Sequence, residues 1–210
     1  MQHGSSIRYF GGMEGDHYRT LTESVQAEVR VQRSRFLALA FPIAGEAAFE
    51  AALASIRRER FDATHHCWAW RLFDPERSRS SDAGEPSGSA GRPILQAIQS
   101  AELHDIGVVV VRWFGGVKLG TGGLARAYRD AAQEALRSAA IQERWIYERI
   151  SVTAPHRDAN LVFRMVRPPE IVLASSEFGT AAHFELDVRR DLAGAIAEEL
   201  EEARLEVKRR

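Results

Sequence analysis

Residues 105–126 read DIGVVVVRWFGGVKLGTGGLAR and join an apolar run to a glycine-rich segment. The run over 105–111 is β-branched and apolar on both faces, which is typical of a central, buried strand. Residues 122–140 then carry apolar side chains at helical spacing. A buried strand that leads through glycines into a helix predicts an α+β fold with a backbone-rich loop beside the sheet.

Periodicity upstream of this stretch predicts further strands and helices. Alternation predicts strands over 28–32 and 65–73, and a largely apolar stretch ended by Pro42 and Gly45 predicts another over 35–43. Amphipathic spacing predicts helices over 46–60 and 92–103. Residues 74–87 are polar and turn-rich, so we interpret them as a loop. Residues 1–20 lack periodicity, and we interpret them as a loose arm.

The last third of the chain has the element order of a second, smaller unit. Its predicted order is β-α-β-β-α-β, with strands over 147–154, 170–175, 181–188 and 204–208 and helices over 157–166 and 190–202. This order is the split arrangement of ferredoxin-like domains. The sequence therefore predicts two domains, over 20–143 and 146–210.

A second glycine-rich segment, residues 82–93, reads DAGEPSGSAGRP. Asp82 and Glu85, three residues apart, are candidates for binding a cation or for acid–base catalysis. The favoured interpretation is a hydrogen-bonded turn, in which Asp82 accepts backbone N–H groups and Glu85 caps a helix.

The glycine-rich segment after the buried strand is a candidate phosphate site. Its backbone N–H groups and the following helix dipole attract anions. The candidate ligand-binding residues are Arg112, Gly115, Gly116, Lys118, Gly120, Gly122, Gly123 and Arg126. The alternative is a tight packing turn. Formal matches to dinucleotide and P-loop fingerprints fail, because the glycines lie too far from the strand and Thr121 stands where a P-loop lysine belongs.

Three consecutive residues, His65, His66 and Cys67, lie on a predicted strand. Alternation places His65 and Cys67 on one face and His66 on the other. Catalytic candidates are His65, His66, Asp82 and Glu85, and packed strand residues are the favoured alternative for the histidines. The ligand spacing of a zinc site is missing, so we expect no metal and no cofactor.

Composition limits the classes of function. The formal net charge is −1 and 45% of residues are hydrophobic, so nucleic-acid binding requires a local basic patch. The single cysteine excludes an internal disulfide. The sequence shows neither a signal peptide nor an apolar run of transmembrane length, so we expect a cytoplasmic protein without a membrane partner.

The motifs DxGEPxGSAGxP over 82–93 and VVVRWFGGxxLGxGGLxxAY over 109–128 resemble the IMPACT/YigZ family, as do SRF at 34–36 and ATHHC at 63–67. The resemblance implies a mixed sheet backed by two helices, similar to domain 2 of a small-subunit ribosomal protein. It also implies a ferredoxin-like second domain similar to one in ribosomal translocation factors. The eukaryotic relative regulates translation through a protein partner. Ser89 and Trp113 depart conservatively from the family's common threonine and tyrosine.

Two hypotheses of function follow. In the first, the chain is a translation-associated binding module whose partners are RNA, the ribosome or translation factors. Its glycine-rich loops and basic residues hold phosphates, and His66, Trp68 or Trp113 stacks on bases. In the second, it is an enzyme acting on a small phosphorylated or carboxylated substrate. Protein–protein docking without either activity is a third possibility.

Overall fold

The structure is a computed structural model that describes residues 16–209. The chain divides into two compact units, residues 18–144 and residues 145–209 together with Asp16 and His17. Most of the arm predicted over 1–20 lies outside the described residues. The part that is described was predicted wrongly, because strand β1 (His17–Leu21) pairs with β7 (Ile141–Trp145) in a two-stranded sheet.

The first unit is built on a five-stranded sheet. Its strands are β2 (Val25–Val31), β3 (Ser34–Pro42), β4 (His65–Leu72), β5 (Arg77–Ser81) and β6 (Ile106–Trp113). The helices are α1 (Glu46–Glu59), α2 (Gly91–Ser100) and α3 (Gly120–Arg137). The strand order is β2-β3-β6-β4-β5, so the apolar run predicted as the central strand occupies the centre and is buried from Ile106 to Arg112.

Every pair of hydrogen-bonded neighbouring strands in this sheet is antiparallel. The α+β class is confirmed, but the sheet is not the mixed one that the resemblance implied. Strands β3 and β4 run parallel to each other on either side of β6, which is antiparallel to both. Because β6 is inserted between them, the β3–α1–β4 crossover forms no parallel ladder.

Helices cover both faces of the sheet. On one face α2 and α3 pack over residues that include Phe36, Cys67 and Val110. On the other face Phe49 and Leu53 of α1 pack against β4 and β6. Alternation along β4 divides these cores, as the sequence predicted, with Cys67 on the α2/α3 face and Trp68 on the α1 face.

The loop predicted over 74–87 contains strand β5, so that prediction was wrong in part. The β5 sequence, RSRSS, is polar and exposed for most of its length, and it pairs with the apolar strand β4. An edge strand with two solvated faces has no alternation of apolar and polar residues. Its backbone hydrogen bonds do not depend on side chains, so the sequence gives no sign of the pairing.

The second unit contains β8 (Tyr147–Ala154), a 3-10 turn (His156–Asp158), α4 (Ala159–Met165), β9 (Ile171–Phe178), β10 (Ala182–Arg189), α5 (Arg190–Glu202) and β11 (Glu206–Arg209). Its antiparallel sheet has the order β11-β8-β10-β9. Two helix-linked halves interleave in this order, which confirms the ferredoxin-like prediction. Across residues 16–209, no helix is long and apolar enough to cross a membrane.

Candidate functional site at the glycine-rich loops

Both glycine-rich segments lie at the same end of the first unit. The first forms the Asp82 loop (residues 82–90), between β5 and α2. The second forms the Phe114 loop (residues 114–119), between β6 and α3. The sheet register joins them, because His65 at the start of β4 lies opposite Arg112 near the end of β6. Directly opposed residues share a face, so both side chains lie on the α2/α3 side of the sheet.

Asp82 holds its own loop together. Its Oδ2 accepts the N–H of Gly88 at 2.8 Å, and its Oδ1 accepts those of Ala90 and Gly91 at 2.9 Å each. Burial raises the pKa of this carboxyl, but the three N–H donors outweigh burial and leave the pKa below its usual value. The interpretation of Asp82 as the acceptor of a hydrogen-bonded turn is confirmed.

Glu85, by contrast, points inward and caps no helix. Its side chain is 4% exposed. Its Oε1 accepts from Nη1 of Arg112 at 2.5 Å and from the Tyr128 hydroxyl at 2.8 Å. Its Oε2 has no hydrogen-bond partner among residues 16–209. Gly84 makes this path possible, because its φ of +91° suits glycine and an added Cβ would lie 3.3 Å from the His65 ring.

Arg112 is an internal residue, contrary to its predicted place on a phosphate. It is 5% exposed, and its guanidinium is committed to Glu85 through Nη1. Nη2 lies 3.4 Å from the Ser34 hydroxyl. The rings of Phe36 and Phe114 lie 5.4 and 5.5 Å from its Cζ. The buried Nε has no partner in the described part of the chain, so one donor of the guanidinium is unused.

The two adjacent histidines have different surroundings. Nδ1 of His65 donates to the carbonyl of Ala83 at 3.0 Å, which leaves its Nε2 3.9 Å from Oε1 of Glu85. His66 lies on the opposite face, where its Nε2 donates to the carbonyl of Arg60 at 3.1 Å and burial lowers its pKa. Of the four catalytic candidates, the structure therefore brings together His65 and Glu85 only.

Cys67 and Tyr128 close the buried side of this cluster. The Cys67 thiol donates to the carbonyl of Asp82 at 2.9 Å and lies 3.3 Å from the Tyr128 hydroxyl. Burial raises the pKa of the thiol to about 12, so it is not a nucleophile at neutral pH. The sequence analysis gave Tyr128 no role in the site. A tyrosine on the alanine-rich buried face of a helix could have indicated this role, because a buried hydroxyl requires a hydrogen-bond partner.

The Phe114 loop faces solvent over most of its length, unlike the Asp82 loop, whose carboxylates bind groups of the protein. Gly115 packs against the turn before β3, where an added Cβ would lie 2.1 Å from the carbonyl carbon of Arg33. Beyond it, an added Cβ at Gly116, Gly120 or Gly122 would meet nothing within 4 Å. Phe114 is 47% exposed, and Lys118 and Arg126 are exposed. The contact at Gly115 also brings exposed Arg33 to this surface, which the sequence analysis did not include.

The aromatic residues proposed to stack on bases are placed differently from one another. Trp68 is 7% exposed and belongs to the core on the α1 face. Trp113 is already engaged, since the Arg35 guanidinium lies 3.7 Å from its ring centroid and its Nε1 donates to Asp62 at 2.9 Å. Phe114 is the residue whose ring is open to solvent at the loop.

The loops and their network lie within a known family region. The family model for the Impact N-terminal domain matches residues 32–136, half of the chain. An IMPACT family member of Haemophilus influenzae is 34% identical over 191 residues, covering 88% of this chain and 91% of that protein. The chain belongs to the IMPACT family. An IMPACT family member of Thermus thermophilus is 53% identical over 109 residues, which are 52% of this chain and 58% of that protein.

A solved structure is similar to most of this chain. The crystal structure of a hypothetical protein superposes with a TM-score of 0.67 at 26% identity, covering 91% of this chain and 96% of that chain. The region matched by the IMPACT family model contains both loops and the network of Ser34, His65, Glu85, Arg112 and Tyr128.

Proposed function

We propose that this IMPACT family member binds RNA through the Phe114 loop and acts in association with the translation apparatus in the cytoplasm. The observation that carries the proposal is the exposed Phe114 ring in a loop where an added Cβ at Gly116, Gly120 or Gly122 would meet no described atom within 4 Å. Aromatic rings stack on bases of any sequence, and uncovered backbone N–H groups hold phosphates. The translation setting rests on the family resemblance.

The cations around the loop support an anionic ligand. Arg112 is neutralised by Glu85 and does not contribute to the surface. Arg33, Lys118 and Arg126 remain, all exposed. Lys118 and Arg126 flank the start of α3, whose first turn has no side-chain cap and therefore presents its N–H groups. Gly115, Gly116, Gly120, Gly122 and Gly123 keep side chains away from this backbone.

The stacking ring favours unpaired RNA. Bases in a duplex are stacked on their neighbours, whereas bases in single strands and loops can turn onto an aromatic side chain. The exposed ring of Phe114 lies next to Gly115, two residues after the buried Arg112. A base stacked on this ring would therefore be next to the glycine backbone that we propose to bind its phosphate.

The test is a salt titration of binding to a labelled single-stranded RNA oligonucleotide. The double variant Lys118→Ala, Arg126→Ala should weaken binding and reduce the slope of log K against log salt by about 1.4, because each phosphate neutralised on a single strand contributes ~0.7 to that slope. A matched control removes exposed Arg77 and Arg137, which lie at the far ends of β5 and α3. Wild-type affinity in the first variant, or equally weakened binding in both, overturns the proposal.

A further inference from the structure

We propose that His65 and Glu85 form an RNA-cleaving acid–base site beside the Phe114 loop, with His65 as the base. The inference rests on the proposed RNA binding and adds a reaction to it. Its substrate is an unpaired ribonucleotide with a free 2′-hydroxyl. Cleavage by that hydroxyl needs a base, a bound phosphate and no further co-reactant.

The position of the His65 ring suits a base. Donation from Nδ1 to the Ala83 carbonyl at 3.0 Å selects the tautomer in which the Nε2 lone pair is free. This nitrogen has no hydrogen bond within residues 16–209, and 21% of the side chain is exposed. An imidazolium formed there would face Oε1 of Glu85 at 3.9 Å.

Glu85 is held so that it can serve the imidazole. A carboxylate used only to join two loops would be expected to take a forked pair of bonds from arginine through both oxygens. Here Arg112 and Tyr128 both bind Oε1, and the buried Nε of Arg112 has no partner in the described chain. An unpaired buried donor is exceptional in a folded protein, and a bound water, a ligand or a chemical role accounts for it.

His65 is close to the proposed RNA surface. The hydroxyl of Thr64, its neighbour, accepts the Phe114 N–H at 3.0 Å, and the Thr64 N–H donates to the Arg112 carbonyl at 2.8 Å. Two residues of extended chain, about 7 Å, separate Arg112, opposite His65, from Phe114. A nucleotide stacked on Phe114 therefore lies within about one nucleotide of the imidazole.

The reaction is an internal transfer at phosphorus. Nε2 of His65 takes the proton of the 2′-hydroxyl as the 2′-oxygen attacks the adjacent phosphorus. The bond from O2′ to phosphorus forms and the bond from phosphorus to O5′ breaks. The leaving O5′ takes a proton from solvent, and the imidazolium returns its proton to solvent. The products are a 2′,3′-cyclic phosphate and a 5′-hydroxyl, so no oxidation or reduction occurs.

The experiment incubates the full chain with a labelled single-stranded RNA in the presence of EDTA and measures both affinity and product ends. The expected products end in cyclic phosphate, and an oligonucleotide with 2′-deoxy sugars should bind without being cut. His65→Ala should lower the rate at least 100-fold with affinity unchanged, from the usual contribution of a general base. His183→Ala, at an exposed histidine on β10 of the second unit, is the control and should cleave as wild type.

The test of Glu85 requires a measurement that would not change if this residue only supported the fold. The titratable and charged groups around the imidazole are Glu85, Arg112, Tyr128 and Cys67. Glu85→Gln removes the anion that faces an imidazolium at Nε2, so the cleavage rate should fall while the affinity for RNA stays that of wild type. RNA that binds but is never cut overturns this inference and leaves the proposed function intact. Wild-type cleavage by His65→Ala also overturns it. Absence of RNA binding overturns both.

Discussion

The Asp82 loop and the Phe114 loop share a glycine-rich composition and use it in opposite ways. The Asp82 loop directs its polar groups inward, where Asp82 binds three backbone N–H groups and Glu85 enters a buried ion pair. The Phe114 loop is anchored at Gly115, and the following glycines and cations face solvent. Glycine content therefore shows only that the backbone of a loop is unusual. Whether the loop is a scaffold or a binding surface depends on whether its polar groups are hydrogen-bonded inside the protein.

The largest effect is expected where the two loops are joined. Arg112→Met leaves the Glu85 carboxylate buried without its counter-charge and should lower the free energy of unfolding by about 3–5 kcal/mol. Urea denaturation followed by tryptophan fluorescence measures the change. The control, Arg137→Met, removes an exposed arginine and should stay within about 0.5 kcal/mol of wild type. A decrease below about 1 kcal/mol for Arg112→Met would show that the pair does not join the loops.

A smaller effect is expected within the Asp82 loop itself. Asp82→Ala removes a charged acceptor from three N–H groups and should cost about 2 kcal/mol of unfolding free energy. The matched control is Asp130→Ala, because Asp130 is exposed on α3 and pairs loosely with Arg129 at 3.6 Å. Equal urea midpoints for the two variants would contradict the scaffold role of Asp82.

The Phe114 loop should respond in binding rather than in stability. Phe114→Ala removes an exposed ring and should change the free energy of unfolding by less than about 0.5 kcal/mol. It should weaken binding to single-stranded RNA by about 5- to 150-fold, from the ~1–3 kcal/mol of one base–aromatic stack. Fluorescence anisotropy measures the affinity. A decrease in stability with unchanged affinity would reverse the contrast between the loops.

The smallest expected effect is on the pH dependence of stability, where Asp82 and a buried histidine elsewhere in the first unit act in different pH ranges. Buried His104 has a lowered pKa, from burial first and then from Arg71, and both its ring nitrogens lack partners in the described chain. Because the unfolded chain binds this proton more tightly, stability falls as pH drops below 6.5, the ordinary value. The pKa of Asp82 is also lowered, but from an ordinary value of 3.8, so the stability that this carboxylate contributes is present above pH 3.8 and is lost as the pH falls below it.

Two variants therefore change different pH windows. His104→Phe should flatten the decline in stability between about pH 7 and 5, where one proton contributes at most ~1.4 kcal/mol per pH unit. His66 titrates in the same direction, so a smaller slope remains. Asp82→Asn should flatten only the acid limb. Urea midpoints measured across this range check both, and a flattened acid limb in His104→Phe would contradict the assignment.

Elements with a long, regular apolar pattern were predictable, and short or polar strands were not. The bounds predicted for β8 and α5 agree with the structure, and β6 was recognised as central, because each buries a regular apolar pattern. Strands β1, β5 and β7 were missed. Strand β5 is polar and mostly exposed. Strand β1 buries Tyr18, Thr20 and Leu21, but it is only five residues long and pairs with β7, more than a hundred positions away.

The chemistry of the site divides in the same way. The local sequence was enough to predict the family motifs, the turn held by Asp82 and the opposite faces of His65 and His66. Each depends on neighbouring residues only, through hydrogen bonds within a few positions or through the alternation of side chains along a strand. The pairing of Arg112 with Glu85, the hydroxyl of Tyr128 on the same oxygen and the approach of Arg33 to the Phe114 loop join residues 27 to 82 positions apart. Only the antiparallel sheet and the packing of α3 bring those groups within bonding distance, so only the tertiary structure determines which charges are neutralised and which remain free to bind a ligand.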